Sequence, residues 1–348
     1  MVAGSSLPAH RGLGTAGSLC NFRLHFGRAT ILQNRIVAEL GARRTHVKSP
    51  HSRNGSDKTY TNASASADNH EMSAGLPIVF LHYGRSAYLP FTMGRAKMLN
   101  LNSPVVLIGD KANQGFLPFV QHVNMNDYAR QAVEFEKIYR HFSPNGRGYE
   151  LFCFLRWFVL RDFMLAHRLQ SIIHLDSDVI LNVDVNVEQA NWKNAGLSLI
   201  NSVCAGNMFV NGTQTLEALC QLIWNMYDGP GAEARLEEMY AQIQRDSGGG
   251  ICDMCALREL RRSRPTDVAE MTGVQPDDSY WDANIHLSEG FEMNGRRKAI
   301  RWIDGKPYGR HLASGRDIWF KSLHYQGAAK EFIEPTFRAA YPASAAAA

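Results

Sequence analysis

The sequence predicts an α/β fold, and four stretches carry that expectation. Pro77–Leu81 and Pro104–Ile108 are short apolar runs closed by turn residues, and Tyr88–Leu101 between them reads as a helix with Pro90 in its first turn. A strand, a helix and a strand in that order imply a parallel pair joined by a right-handed crossover, hence a sheet with helices on it. The fourth stretch is Tyr149–Arg168, where Phe152, Leu155, Val159 and Phe163 recur at helical spacing and the chain runs straight into another apolar strand, Ile172–Leu175.

That strand ends in Asp176-Ser-Asp178, and the apolar run resumes at Val179-Ile-Leu181. On extended backbone, residues two apart project to one side, so both carboxylates face one small volume. Two carboxylates that close repel each other unless a cation lies between them, and oxygen ligands suit Mg²⁺ or Mn²⁺. A strand-end turn with surface aspartates reads the same three residues without a metal. Arg156, inside the preceding apolar helix, needs a carboxylate, a phosphate or water for its guanidinium.

The remaining elements follow in order. In open α/β sheets ligands bind beyond the carboxyl ends of strands. Tyr83 and Ser86 after the first strand and Asp110 after the second are therefore candidate ligand contacts, or plain turn residues. Residues 127–141 form an irregular helix. Leu197–Asn211 continues as strand, with Gly206-Asn207 allowing a close backbone approach. Leu216–Tyr227 and Glu233–Arg245 are helices parted by Asp228-Gly-Pro-Gly231. Three consecutive glycines, Gly248–Gly250, precede Asp253 at the start of a helix, a place where a ligand can approach backbone. Cys252 and Cys255 have the spacing of a zinc or redox pair, but no second ligand pair is spaced for zinc, so buried thiols are expected. Arg258–Arg264 is a solvated basic helix end. Asp304-Gly305 turns a hairpin within Ala299–Tyr308. The strand from Ile318 ends in His324, followed by Gly327 and Lys330.

The 348 residues are 45% hydrophobic, enough for one large domain or two small ones. The net charge of +4 has an uneven source. Residues 1–60 carry nine Lys or Arg against Glu39 and Asp57, so the charge gives no case for a nucleic-acid-binding face. Six scattered cysteines do not make a disulfide framework. No stretch approaches the roughly 18–20 apolar residues of a membrane span. Residues 1–75 are rich in Ser, Ala, Gly and Arg and poor in acids, either a transit-like leader or an unstructured one. The expected place is therefore the cytosol or an organelle, with a Golgi lumen disfavoured without an anchor. Asn54, Asn62 and Asn211 head sequons that matter only in a secreted protein. Residues 336–348 end in a low-complexity tail.

Taken in order, the motifs resemble nucleotide-sugar glycosyltransferases of the GT-A fold, especially family 8-like and related nucleotide-diphospho-sugar transferases. They are a Tyr-x-x-x-x-Tyr-Leu turn from Tyr83 to Leu89, Arg156, the DxD, Gly206-Asn207, the Gly-rich segment with Asp253, and His324-x-x-Gly327-x-x-Lys330. The resemblance implies a mixed, mainly parallel sheet flanked by helices, a single catalytic domain over residues 76–335, and Mn²⁺ or Mg²⁺ held by Asp176, Asp178 and His324. It further implies donor contacts from Arg156, Gly206, Asn207, Gly327 and Lys330, beside Tyr83, Ser86 and Asp110 at the strand ends. The donor would be a nucleotide sugar, a UDP-sugar by preference, and the acceptor hydroxyl would belong to a glycan, a protein or a small molecule. Asp253 would deprotonate the acceptor if configuration inverts, or orient the sugar if it is retained. The chain departs from the family where Ala205-Gly206-Asn207 replaces Asn-Ala/Ser-Gly, and where Lys330-Glu-Phe replaces Lys-Pro-Trp. Two other readings share parts of the pattern. One is a haloacid-dehalogenase-like phosphatase with Asp176 as nucleophile, and the other is a non-catalytic nucleotide-sugar-binding protein.

Overall fold

The structure is a computed structural model that describes residues 75–340. The leader, the sequons at Asn54 and Asn62, and the end of the tail lie outside the described residues. In chain order the elements begin β1 (Ile78–Leu81), α1 (Leu89–Leu99), β2 (Val105–Gly109) and β3 (Gln121–Asn124). A short 3-10 turn at Met125–Tyr128 leads to α2 (Arg130–Ile138), so the irregular helix is two pieces. Then come α3 (Arg147–Ala166), β4 (Ser171–Asp176), β5 (Val179–Leu181), α4 (Val185–Trp192), β6 (Leu197–Leu199) and β7 (Asn207–Asn211). Next are α5 (Gln214–Tyr227), α6 (Ala232–Asp246), α7 (Asp253–Ser263), β8 (Val268–Glu270) and β9 (Ser279–Trp281). The chain closes with β10 (Met293–Asn294), β11 (Arg297–Lys298), β12 (Arg301–Ile303), β13 (Lys306–His311), β14 (Arg316–His324) and α8 (Ile333–Ala340).

Seven strands form the main sheet in the order β3-β2-β1-β4-β7-β6-β8. It is mixed and mainly parallel: only β7 runs against its two neighbours. Every residue of β1 and β2 is buried, because helices cover both faces. Alternate residues of β1 enter different cores. Val79 and Leu81 pack with α3 through Leu155, Phe158 and Val159, while Ile78 and Phe80 pack with Leu89, Met93 and Ala96 of α1. Phe152 departs from its expected place facing the sheet, since it is only partly buried at the edge of that core.

The Leu197–Asn211 run is also not one strand. It reverses through Asn201 and Ser202, both in left-handed backbone at φ 50° and 63°, so that β7 can lie antiparallel beside β4. Asn211 donates its side-chain amide to the carbonyls of Trp192 and Ala195, which occupies the sequon's nitrogen.

The second sheet has the order β12-β13-β14-β5, with β9 parallel to β14. Asp304-Gly305 makes the expected turn, with φ 49° and 71°. β4 belongs to the first sheet and β5 to the second, so Ser177-Asp178 is the link on which the chain changes sheets. Strand order also reverses here. From β1 the chain builds outward through β2 and β3, then returns to place β4 on the other side of β1, a crevice suited to ligands. No helix among the described residues is long and apolar enough to cross a membrane.

Candidate active site

The crevice gathers the carboxyl ends of β1 and β4 and the start of the antiparallel β7. Asp176 closes β4, and its N–H donates to the carbonyl of Gly206 at 2.9 Å. Asp178 lies beyond a tight turn and not on the extended backbone expected for it. Its carbonyl accepts from Tyr325 N–H at 3.0 Å, which ties the turn to the end of β14. Because His324 pairs with Val179 in that sheet, the histidine arrives beside the acidic pair from far along the chain. Its Nε2 lies 3.3 Å from Asp178 Oδ1 and 3.7 Å from Asp176 Oδ2.

Ligand atoms of Asp176, Asp178 and His324 all fall within 4.8 Å of one another. Two carboxylates and an imidazole are a donor set for a divalent first-row ion or Mg²⁺, so the residues fit the metal expected from the resemblance. Gly206 makes room for the set, since a Cβ there would stand 2.4 Å from His324 Cε1 and 3.3 Å from Asp176 Oδ2. His324 is held from behind. Its N–H donates to Asp282, which a wholly buried Lys298 also binds at 2.7 Å, and Gln326 lies 3.3 Å from its Nδ1. A partner beside the second ring nitrogen holds the imidazole's orientation.

Cations surround the acids. Arg156 bridges Asp176 and Asp253 at 2.7 Å each, and its guanidinium stacks 4.3 Å from the centre of the Trp157 ring. Burial would raise the Asp176 carboxyl, but Arg156, His174 and His324 together outweigh that and lower it. Lys330 lies 3.1 Å from Asp178. Burial likewise pushes Asp178 up, and Lys330 and His324 together hold it down. Burial opposes charge on His324, yet Asp178 raises it well above the ordinary histidine value.

Two cavities meet at this centre and share Tyr149, Cys153, Arg156, Asp176, Asp178 and Lys330 as a common wall. One, of about 390 Å³, extends toward β1 past His82, Tyr83, Ser86, Tyr88 and Phe152. The other, of about 190 Å³, extends toward Gly206, Gly249, Gly250, Asp253 and Glu150. Tyr83 and Ser86 thus line the first, and Gly206, Gly327 and Asp253 the second. Asp110 and Asn207 line neither. Asp110 accepts from the N–H groups of Gly84 and Asn113 and so shapes the turn after β1. Asn207 is wholly buried and donates to the carbonyl of Asp282.

Sequence reasoning missed several neighbours. His82 bridges Ser177 and Ser86 at 2.9 and 3.0 Å and so ties the end of β1 to the DxD turn. Burial and Lys330 lower this imidazole to about 4, which leaves it neutral. Tyr149 and Cys153 share the face of α3 with Arg156 at spacings of seven and three, a signal the sequence did contain. Cys252 is buried and Cys255 partly so, as thiols, and no zinc-type cluster occurs among the described residues.

Neither a family model nor any curated protein matches the sequence. Solved structures are similar in fold at low identity. Mouse xyloside xylosyltransferase 1 in its apo form is 12% identical with a TM-score of 0.38, over 56% of this chain and 84% of that one. The PaToxG glycosyltransferase is 10% identical with a TM-score of 0.34, over 56% and 71%. A cytidylyltransferase from Leptospira borgpetersenii serovar Hardjo-bovis is 12% identical with a TM-score of 0.29, over 59% and 78%. Likeness at this level concerns the course of the chain and says nothing of the substrate.

Proposed function

We propose that the chain is a metal-dependent glycosyltransferase that moves a sugar from a nucleoside-diphosphate donor, by preference a UDP-sugar, to an acceptor hydroxyl. One observation carries the reading: the convergence of Asp176, Asp178 and His324 with Lys330 and Arg156 where two cavities meet. A divalent ion on those three ligands supplies electrostatic stabilisation of a leaving diphosphate. Lys330 and the backbone at Gly327 face the same place and bind the diphosphate oxygens. The larger cavity, with Tyr83, Tyr88 and Phe152, accepts the nucleoside, and the smaller accepts the sugar. In the reaction the acceptor oxygen bonds to the anomeric carbon as the bond to the diphosphate breaks, and the hydroxyl's proton passes to the departing phosphate oxygen. The electron pair leaves with the diphosphate, whose growing charge meets cations already in place.

Asp253 is open to deprotonating the acceptor or orienting the sugar, and its contacts give it a third task, positioning Arg156. Its Oδ2 accepts from both Arg156 and Trp157, at 2.7 and 3.0 Å, so the carboxylate locks Arg156 against the sheet. The phosphatase reading needs an oxygen of Asp176 to attack phosphorus, whereas its Oδ1 is bound to Arg156 and its Oδ2 faces His324 in the ligand cluster. The test is a thermal-shift screen of UDP, GDP and their sugar conjugates with and without Mn²⁺, followed by donor hydrolysis set against p-nitrophenyl phosphate hydrolysis. Stabilisation by a nucleotide that requires Mn²⁺ is expected, because a ligand of the native state raises apparent stability. Full donor turnover in EDTA would overturn the metal mechanism, and phosphatase activity in its place would overturn the reading.

A further inference from the structure

Glu150 sits in the first turn of α3, is 2% exposed, and lines the smaller cavity. One carboxyl oxygen, Oε1, accepts from Asn145 Nδ2 at 2.7 Å, while Oε2 is buried with no partner. A buried carboxyl oxygen without a hydrogen bond is costly in a folded protein and calls for a donor. The surroundings are built closely. Ile251 N–H donates to the Phe142 carbonyl, and a Cβ on Gly250 would stand 2.5 Å from Ser143 Cα, so the 142–145 loop and the glycine segment pack backbone to backbone. The charges of the cavity are also unevenly placed. Arg156 is taken up by Asp176 and Asp253, and Lys330 and His324 by Asp178. The end formed by Ser143, Asn145, Glu150, Gly250 and Cys252 has a carboxyl and hydrogen-bonding groups but no cation.

We propose that Glu150 is the specificity-determining residue of the sugar cavity, with Oε2 accepting a hydrogen bond from a hydroxyl of the transferred monosaccharide. The substrate class is therefore a neutral, hydroxyl-bearing sugar. A uronic acid is disfavoured above pH 7, where Glu150 has lost its proton and its charge faces the sugar's carboxylate. A cavity of about 190 Å³ suits a single sugar ring and not an oligosaccharide. This inference rests on the nucleotide-sugar reading above and adds to it which sugars are admitted.

The test measures binding of UDP, UDP-glucose, UDP-galactose, UDP-xylose and UDP-glucuronate in Mn²⁺ by calorimetry at pH 8, where Glu150 carries its charge, for the native chain, Glu150→Ala and Glu150→Gln. The native chain should bind at least one neutral sugar nucleotide more tightly than UDP, and UDP-glucuronate more weakly than that one. In Glu150→Ala the gain from the sugar should fall about tenfold, the size of one hydrogen bond to a charged group, with UDP binding unchanged. Glu150→Gln keeps an acceptor without the charge, so it should retain much of the gain and lose discrimination against UDP-glucuronate. If the alanine variant does not fold, the glutamine variant decides through that discrimination. Unchanged selectivity in the variants overturns the proposal, as does equal weakening of UDP and its conjugates, which marks a structural role. A native chain that binds UDP but gains nothing from any sugar sinks the Glu150 proposal alone. One that binds no UDP with Mn²⁺ fails the donor reading and this inference with it.

Discussion

Asp178 is almost wholly buried between the ammonium of Lys330 and the imidazole of His324. From the sequence alone, replacing one member of an acidic pair relieves repulsion. In the fold, the two cations make the larger contribution, and Asp178→Asn leaves them without their carboxylate. We expect that variant to lose Mn²⁺-dependent nucleotide binding and about 1–3 kcal/mol of stability, read by calorimetry and urea unfolding. Gly206→Ala forces a methyl group into the His324 ring. Its Mn²⁺ affinity should fall on the order of tenfold or more, as for other changes that tilt a ligand. Unaltered affinity would show that His324 does not bind the ion. Glu150 supplies a test that needs no ligand. Burial lifts its carboxyl from 4.5 to about 7, helped by the charge of Asp253 and opposed by the hydrogen bond from Asn145. The folded state then holds a proton that the unfolded chain has released. Stability is full below pH 4.5 and falls as pH rises to about 7. Glu150→Gln should therefore gain up to roughly 3 kcal/mol over the native chain at pH 8 and match it near pH 4. A stability difference independent of pH would place the carboxyl in water.

At the scale of elements, the site depends on β14 and the strands that hold it. His324 ends β14, pairs with β5 and anchors its N–H on Asp282, while Lys298 of β11 binds both Asp282 and Glu289 with its side chain wholly buried. Removing one partner of such a network leaves charges unpaired in a dry interior. Lys298→Ala should lower stability by about 3–5 kcal/mol and loosen Mn²⁺ binding together, although Lys298 touches no proposed ligand. A destabilised protein with native Mn²⁺ affinity would show that Asp282 does not position His324. The helix α3 spans the molecule in another way. Its apolar positions hold the sheet, while Tyr149, Glu150, Cys153 and Arg156 near its first turns form cavity wall, so one element supplies both core and site.

At the scale of the whole molecule, residues 76–335 are the proposed catalytic domain, and deletion of residues 1–74 should leave Tm and Mn²⁺-dependent nucleotide binding unchanged. Loss of either would move the boundary toward the N-terminus. The sequence by itself determined the β-α-β opening, most helices, the hairpin at Asp304-Gly305 and the acidic pair at a strand end, because periodicity and turn chemistry are local. It also singled out Arg156 as a side chain in need of a partner, and the motif resemblance singled out His324 and Lys330. Tertiary structure alone decided who those partners are. The DxD turn carries the chain from one sheet to the other, and antiparallel pairing of β5 with β14 then sets His324 beside Asp178. Asp110 and Asn207 had equal claim as residues at strand ends, yet backbone groups of neighbouring segments use both. Glu150 gave no signal at all, since a glutamate in a helix's first turn is ordinary on a solvated surface. It becomes unusual only when the glycine segment and α7 close over it, for burial is a property of packing between segments distant in the chain.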